Sequence, residues 1–136
     1  MNNAELIKFA LEARKNSYSP YSDFSVGSAL LCGDGTVYTG CNIENSAFSP
    51  TNCAERTAFF KAVSEGKRDL IKIAVVGGKS DEVLPENYCP PCGVCRQVMK
   101  EFCSEDFEII MAKAENDFKV MTLADLLPES FDKREV

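Results

Sequence analysis

The sequence predicts an α/β protein in which one mixed sheet of five strands lies between two layers of helices. Apolar runs of strand length and helical segments follow one another in the order α-β-β-α-β-α-β-β-α. A mixed order of this kind places helices on both faces of one sheet. The chain has 136 residues, enough for one hydrophobic core and too few for two. We therefore expect a single three-layer α/β/α domain over residues 1–136.

The first half of the chain contains the signals of a helix, a hairpin and a second helix. Asn2, with Glu5 three positions later, forms an N-cap pair for an amphipathic segment. The Gly33-Asp34-Gly35 stretch separates two apolar runs and predicts a hairpin turn. Gly66 predicts the C-cap of the second helix. The predicted elements are a helix over 3–16, strands over 24–32 and 36–43, and a helix over 53–66.

The second half begins with a continuous apolar run, which is typical of a strand buried on both faces. A proline-containing stretch then predicts a loop before the third helix. The predicted elements are a strand over 70–78, a loop over 79–91, a helix over 93–103, strands over 107–114 and 118–122, and a short helix over 123–127.

Composition argues against two classes of function. The net charge is −6 and the isoelectric point is about 4.7, so the chain lacks the basic surface of a nucleic-acid-binding protein. No apolar run approaches the length of a membrane span. Glu5, Lys8 and Glu12 interrupt the apolar residues of the N-terminal segment, which is therefore unlike a secretory signal. We expect a cytoplasmic protein that binds neither nucleic acid nor membrane.

Seven cysteines in a chain without histidine indicate a thiol-based site. Thiols in a reducing compartment more often bind metal or serve catalysis than form disulfides. Cys53 stands at the start of one predicted helix, and the triplet Cys89, Cys92 and Cys95 lies at the start of another. A helix N-terminus stabilises a thiolate, so two converging helix starts would present three thiolates to one cation. Spacing alone leaves open which pair of the triplet chelates.

Two charged residues beside Cys53 indicate a catalytic metal site. Three sulfur ligands on Zn²⁺ leave a fourth position for water. Glu55, two residues beyond Cys53, can reach such a water and move its proton. Arg56 can donate hydrogen bonds to the thiolates and offset their negative charge.

Two other interpretations of the cysteines compete with this one. A structural zinc site would have four cysteines, with Cys89, Cys103 or Cys41 as the fourth ligand. Glu55 favours the catalytic interpretation over the structural one. The "CPPC" pair could also be a redox motif, although it does not follow the first strand of a βαβ unit.

Several segments together resemble the small zinc-dependent cytidine deaminases. The motif residues are "CAE" at 53–55 and "PCGVCRQ" at 91–97. The segments "SYSPYSDFSVGSALL", "GCNIENSAFS" and "LADLLPESF" extend the resemblance almost from end to end. It implies a homotetramer with composite active sites. It also implies deamination of cytidine and deoxycytidine to uridine and deoxyuridine, a reaction of pyrimidine salvage.

Four residues match the metal and catalytic motif of that family. The ligands of one Zn²⁺ per subunit correspond to Cys53, Cys92 and Cys95, and the proton shuttle corresponds to Glu55. In the implied mechanism, Glu55 takes a proton from the metal-activated water, protonates N3 and later protonates the leaving amine. Cys89 is a departure, because the family motif has no cysteine there.

The substrate-binding residues are implied in the same way. Asn42 and Glu44 match the pair that binds the ribose, and their i, i+2 spacing at a strand end would place both side chains on one face. Phe24 matches an aromatic residue that packs on the nucleoside, and Ala54 lies within the motif at the substrate. Phe131, after "LLP", matches a residue that reaches the active site of a neighbouring subunit.

Three other functions compete with a nucleoside deaminase. A polynucleotide deaminase needs a positively charged groove, which the acidic balance opposes. A blasticidin S deaminase would have a similar scaffold and zinc motif, but "NIE" at 42–44 and Phe24 favour a ribonucleoside. A zinc-stabilised binding module without catalysis would have no use for Glu55.

Overall fold

The computed structural model describes residues 1–135. Its helices and strands follow the predicted order. Their bounds are α1 Asn3–Arg14, β1 Phe24–Cys32, β2 Val37–Cys41, α2 Ala54–Ser64, β3 Leu70–Lys79, α3 Gly93–Phe102, β4 Glu108–Ala114, β5 Asp117–Thr122 and α4 Leu123–Leu126, followed by a 3₁₀ turn, Lys133–Glu135. The strands form one sheet in the order β2-β1-β3-β4-β5, so the prediction of five strands is confirmed.

The sheet is mixed, as predicted. β1 pairs antiparallel with β2 and with β3, and β4 pairs antiparallel with β5. β3 and β4 pair in parallel, and α3 forms part of the crossover that parallel pairing requires. In the hairpin between β1 and β2, Gly35 has a φ of 90°, which glycine adopts without the steric cost of a side chain.

The two faces of the sheet bury two separate groups of apolar side chains. Successive residues of a strand point to opposite faces, and β3 shows this with Ile73 and Ala74. Ala74 packs with Leu6 of α1. Ile73 belongs to the group that contains Phe59 of α2 and Met99 of α3. Helices therefore cover both faces, which confirms the three-layer arrangement.

Two helices on one face of the sheet begin at cysteines. Cys53 is the N-cap of α2, and Cys92 is the N-cap of α3. Asn2 caps α1 as predicted, since its Oδ1 accepts a hydrogen bond from the backbone N of Glu5 at 2.9 Å. Gly66 has a φ of 88° just beyond α2, which fits its predicted place at the end of that helix.

The end of β2 differs from the prediction. The strand stops at Cys41 instead of residue 43, because Ile43 makes isolated bridges with Tyr18 and Asn52. These bridges place the segment 42–44 beside the loop that precedes β1. None of the helices in residues 1–135 is both long and apolar enough to cross a membrane.

Candidate metal centre and active site

The cysteines at the starts of α2 and α3 come together in space. The Sγ atoms of Cys53 and Cys92 lie 3.7 Å apart, and those of Cys92 and Cys95 lie 3.5 Å apart. All three sulfur atoms lie within 4.8 Å of one another. We call these three residues the cysteine cluster. Within residues 1–135, it is the group of His, Cys, Asp or Glu side chains placed to share one metal ion.

The cysteine cluster fits the dimensions of a zinc site. Tetrahedral Zn–S bonds of about 2.3 Å place two sulfur ligands about 3.8 Å apart, close to the observed 3.7 and 3.5 Å. A hydrogen bond from Cys95 lowers the pKa of Cys53 to about 5, and the same bond raises the pKa of Cys95. The thiol protons of the cluster thus lie in short hydrogen bonds between the sulfur atoms. A divalent cation would replace those protons, since metal binding to cysteine releases them.

Arg56 places a positive charge against this cluster. Its Nη2 donates a hydrogen bond to Cys53 Sγ at 3.1 Å. Burial of the guanidinium opposes its charge, but hydrogen bonds to Cys53 and Cys95 raise its pKa, so Arg56 stays cationic. Its Nε is buried and has no hydrogen-bond partner among the described residues. Arg56 therefore holds a positive charge beside the sulfur atoms.

Glu55 is a buried carboxyl in the first turn of α2, and its relative exposure is 4%. Burial raises its pKa to about 7, and the negative charge of Cys53 acts in the same direction. A carboxyl group with a pKa near neutrality can both accept and release a proton at neutral pH. Glu55 thus has the properties of a general acid–base group.

Glu55 lines a cavity of about 210 Å³ together with Cys53 and Cys92. We call it the cluster cavity. Asn42 and Ala54 also line it, so two of the predicted substrate-binding residues reach the same space. The cavity therefore combines a metal-binding wall, a buried carboxyl and the amide of Asn42.

Cys89 lines the cluster cavity but does not belong to the cysteine cluster. It packs against Gly77 of β3, where an added Cβ would lie 2.7 Å from Cys89 Sγ. Burial raises the pKa of this thiol to about 12. Cys41 and Cys103 do not join the cluster either, so among residues 1–135 no fourth cysteine completes a structural zinc site.

Asn42 and Glu44 line two cavities that adjoin. Asn42 is buried at the cluster cavity, whereas Glu44 lines a second cavity of about 430 Å³ that contains Tyr21 and Ser22. Thr51 lines both cavities, which therefore adjoin. Because β2 ends at Cys41 and Ile43 pairs with other segments, the alternation of a regular strand does not set the directions of these two side chains.

Two aromatic residues expected at the site do not line the cluster cavity. Phe24 is the first residue of β1 and lines a third cavity with Gly77 and Tyr88. The Phe131 side chain is 60% exposed, and its carbonyl accepts a hydrogen bond from Gln97 Nε2 at 3.2 Å. Phe131 is thus available to a neighbouring subunit, which is where the sequence predicts its role.

Sequence patterns do not reveal three polar residues that line these cavities or bond to residues that do. Ser17 donates a hydrogen bond to Asn42, Ser22 donates one to Glu44, and Thr51 lies between the two cavities. All three occupy irregular segments that have no hydrophobic periodicity. Their proximity depends on the bridge between Tyr18 and Ile43, which no local signal encodes.

A family model described as the cytidine and deoxycytidylate deaminase zinc-binding region matches residues 1–111. The chain belongs to the cytidine and deoxycytidylate deaminase family. This deaminase-family match includes the whole cysteine cluster, so the cofactor is Zn²⁺. The family resemblance predicted from the motifs is confirmed.

Individual relatives of this deaminase-family chain match along nearly its full length. It is 49% identical to a cytidine deaminase of Halalkalibacterium halodurans over 131 residues, covering 96% of this chain and 95% of the relative. It is 48% identical to a cytidine deaminase of Sporosarcina psychrophila over 136 residues, covering 100% and 96%. A crystal structure of cytidine deaminase from Burkholderia pseudomallei superposes with a TM-score of 0.87 at 42% identity, covering 96% and 100% of the two chains.

Proposed function

We propose that this chain catalyses the zinc-dependent hydrolytic deamination of cytidine and deoxycytidine to uridine and deoxyuridine, as in pyrimidine salvage. The observation that carries the proposal is the buried carboxyl of Glu55 in the cavity lined by the cysteine cluster. The relatives in H. halodurans and S. psychrophila, both cytidine deaminases, support the same reaction. We treat residues 1–136 as one catalytic domain.

The cysteine cluster would hold the zinc ion through its three sulfur atoms. When bound there, Zn²⁺ supplies Lewis-acid activation of the attacking water. Three thiolates carry one negative charge more than the ion can neutralise, which weakens that activation. Arg56 offsets this excess, because it donates a hydrogen bond to Cys53 at 3.1 Å and remains cationic.

Glu55 would carry the protons of the reaction. It takes one proton from the attacking water and delivers it to N3 of the cytosine ring, as the oxygen joins C4. It then takes the second proton from the hydroxyl on C4 and delivers it to the amine, which leaves as ammonia. A pKa of about 7 suits both directions of transfer. Each delivery returns the carboxylate to its starting state.

Backbone and side-chain groups around the two cavities would hold the nucleoside. The first turn of a helix has N–H groups without intrahelical partners, and Ala54 lies in that turn at the cavity wall. Its N–H would bind a carbonyl oxygen of the base. Asn42 and Glu44 would bind the sugar across the junction at Thr51, and Phe24 would pack against the nucleoside from the side of Cys89.

We further propose a cytoplasmic homo-oligomer, and specifically a tetramer. The cluster cavity measures about 210 Å³, and in the proposed assembly a second subunit would complete its wall. Large aromatic side chains are exposed, including Phe48 of the second cavity at 70% and Phe131 at 60%. In the proposed assembly a neighbouring subunit would cover these apolar side chains. Seven free thiols also suit a reducing compartment.

A substrate panel on protein of measured zinc content tests the proposed reaction. We expect ammonia release from cytidine and deoxycytidine, and a rate about 10⁴-fold lower with free cytosine, which leaves buried sugar-binding groups unpaired. Removing the metal with a chelator should abolish activity, and adding zinc should restore it. A preference for blasticidin S would identify the antibiotic as the substrate. Zinc-loaded protein that releases no ammonia would be a binding module.

A further inference from the structure

The loop before β1 holds both predicted sugar-binding residues in fixed hydrogen-bonding states. Its backbone pairs with the segment 42–44, since Tyr18 N donates to Asn42 O at 3.0 Å and Glu44 N donates to Tyr18 O at 2.8 Å. Two hydroxyl groups of the same loop then reach the side chains of that segment. Ser17 Oγ donates to Asn42 Oδ1, and Ser22 Oγ donates to Glu44 Oε2.

The amide of Asn42 has one permitted orientation. Its Oδ1 accepts hydrogen bonds from Val26 N at 2.9 Å and from Ser17 Oγ, and its Nδ2 donates to Phe24 O at 2.8 Å. Turning the amide over would set a donor against the Val26 N–H and an acceptor against the Phe24 carbonyl. Since Nδ2 carries two hydrogen atoms, one N–H remains for a ligand. Asn42 can therefore offer a donor at the cluster cavity.

The carboxylate of Glu44 is held just as closely, but as an acceptor. Its Oε1 accepts hydrogen bonds from Tyr21 N at 2.9 Å and Ser22 N at 3.1 Å. Ser22 Oγ accepts a hydrogen bond from Phe24 N at 3.1 Å, so its own proton is directed to Glu44 Oε2. These contacts, the Ser22 hydroxyl foremost, lower the pKa of Glu44. An ionised carboxylate has no proton to donate, and Oε2 keeps a lone pair for a ligand.

We propose that Ser22 is a positioning residue for sugar recognition, which holds the Glu44 carboxylate in the orientation that accepts a hydrogen bond from a sugar hydroxyl. The inference rests on the proposed function, because it requires a nucleoside substrate. A donor on Asn42 and an acceptor on Glu44 complement hydroxyl groups, which both accept and donate. Without the Ser22 hydroxyl, the carboxylate can turn about its terminal torsion and lose that complementarity.

Steady-state kinetics with cytidine and with cytosine test this role. Ser22→Ala should lower kcat/KM for cytidine about tenfold, the effect of one hydrogen bond to a charged group. The slow reaction with cytosine should not change, because cytosine has no sugar. Ser22→Thr keeps the hydroxyl and should restore the cytidine value. Ser64→Ala is the matched control, since Ser64 donates only locally, to Lys61 O at 2.8 Å, at the far end of α2.

A double-mutant cycle separates positioning from general loosening of the loop. In a Glu44→Ala background, Ser22→Ala should cause no further loss with cytidine, because its target is gone. The same loss in both backgrounds, or an equal loss with cytidine and cytosine, would overturn the proposal. So would a Ser22→Ala enzyme with wild-type kinetics, while the proposed function would stand. Wild-type protein that fails to deaminate cytidine would overturn both.

Discussion

Gly40→Ala should damage catalysis from a position that contacts no substrate. Gly40 lies in β2 beneath α2, and a Cβ there would lie 2.8 Å from Ala58 N and closer still to Ala54 O. Both contacts are backbone atoms of the helix, so no side-chain rotation can relieve them. The helix itself must move away from the sheet. It carries Glu55 in its first turn and Cys53 at its N-cap.

The size of the effect follows from these contacts. Overpacking of a well-packed interior costs about 1–3 kcal/mol. An unfolding entropy of about 2.1 cal/mol/K per residue over 136 residues is about 0.29 kcal/mol/K, so Tm should fall by roughly 3–10 °C. Displacing catalytic groups by about 1 Å can lower the rate about 10²-fold. We expect a loss of that order in kcat/KM.

Gly27→Ala is the matched control on the opposite face of the sheet. A Cβ at Gly27 would lie 2.6 Å from Arg14 N and closer still to Ala10 O, so it displaces α1, which carries no predicted site residue. Thermal melts should show similar losses of Tm for both variants. Kinetics well below Tm should show a large loss of kcat/KM for Gly40→Ala alone. Equal kinetic losses, or wild-type kcat/KM in Gly40→Ala, would refute the link between helix position and the site.

Three further sets of substitutions test the site directly. Replacing any member of the cysteine cluster by alanine should abolish zinc binding measured by atomic emission, whereas Cys89→Ala should retain zinc. Loss of zinc in Cys89→Ala with normal zinc in Cys95→Ala would exclude the cluster as the metal centre. Glu55→Gln should keep fold and zinc but lose about 10²–10⁴-fold in kcat, and near-normal turnover would rule out the shuttle. Phe131→Ala should lower kcat/KM, while Phe9→Ala, an exposed aromatic on α1, should not. A fully active monomer in sedimentation velocity would exclude a site shared between subunits.

Local signals are sufficient to predict the elements and to place cysteines at two helix starts. Helix starts are encoded within a few residues, so the amino-acid sequence alone places Cys53 and Cys92 at two helix N-termini. Their convergence follows because both helices pack on one face of one sheet. The resemblance to deaminases then selects Cys95 over Cys89 as the third ligand, and the geometry of the cluster agrees.

The surroundings of the sugar-binding pair could not be predicted in this way. Whether Asn42 and Glu44 share a face depends on where β2 ends, and that depends on the bridges from Ile43 to Tyr18 and Asn52. Such contacts join loops by backbone pairing, which leaves no periodic pattern in the residues. The role of Ser22 has the same origin, because its hydroxyl meets Glu44 across 22 positions of chain.

The spacing of the cysteine cluster has a consequence for how firmly the chain is held together. Cys53 and Cys92 are 39 residues apart, and β3 lies between them. An ion bound to both would close this stretch into a loop, much as a disulfide does, and a loop of that length restricts the unfolded chain by about 4 kcal/mol. The ion would thus link the start of α2, which follows the β1–β2 hairpin, to the start of α3 in the crossover. A cell short of zinc would then lose folded protein as well as turnover, so that metal supply would set the abundance of the enzyme through its lifetime.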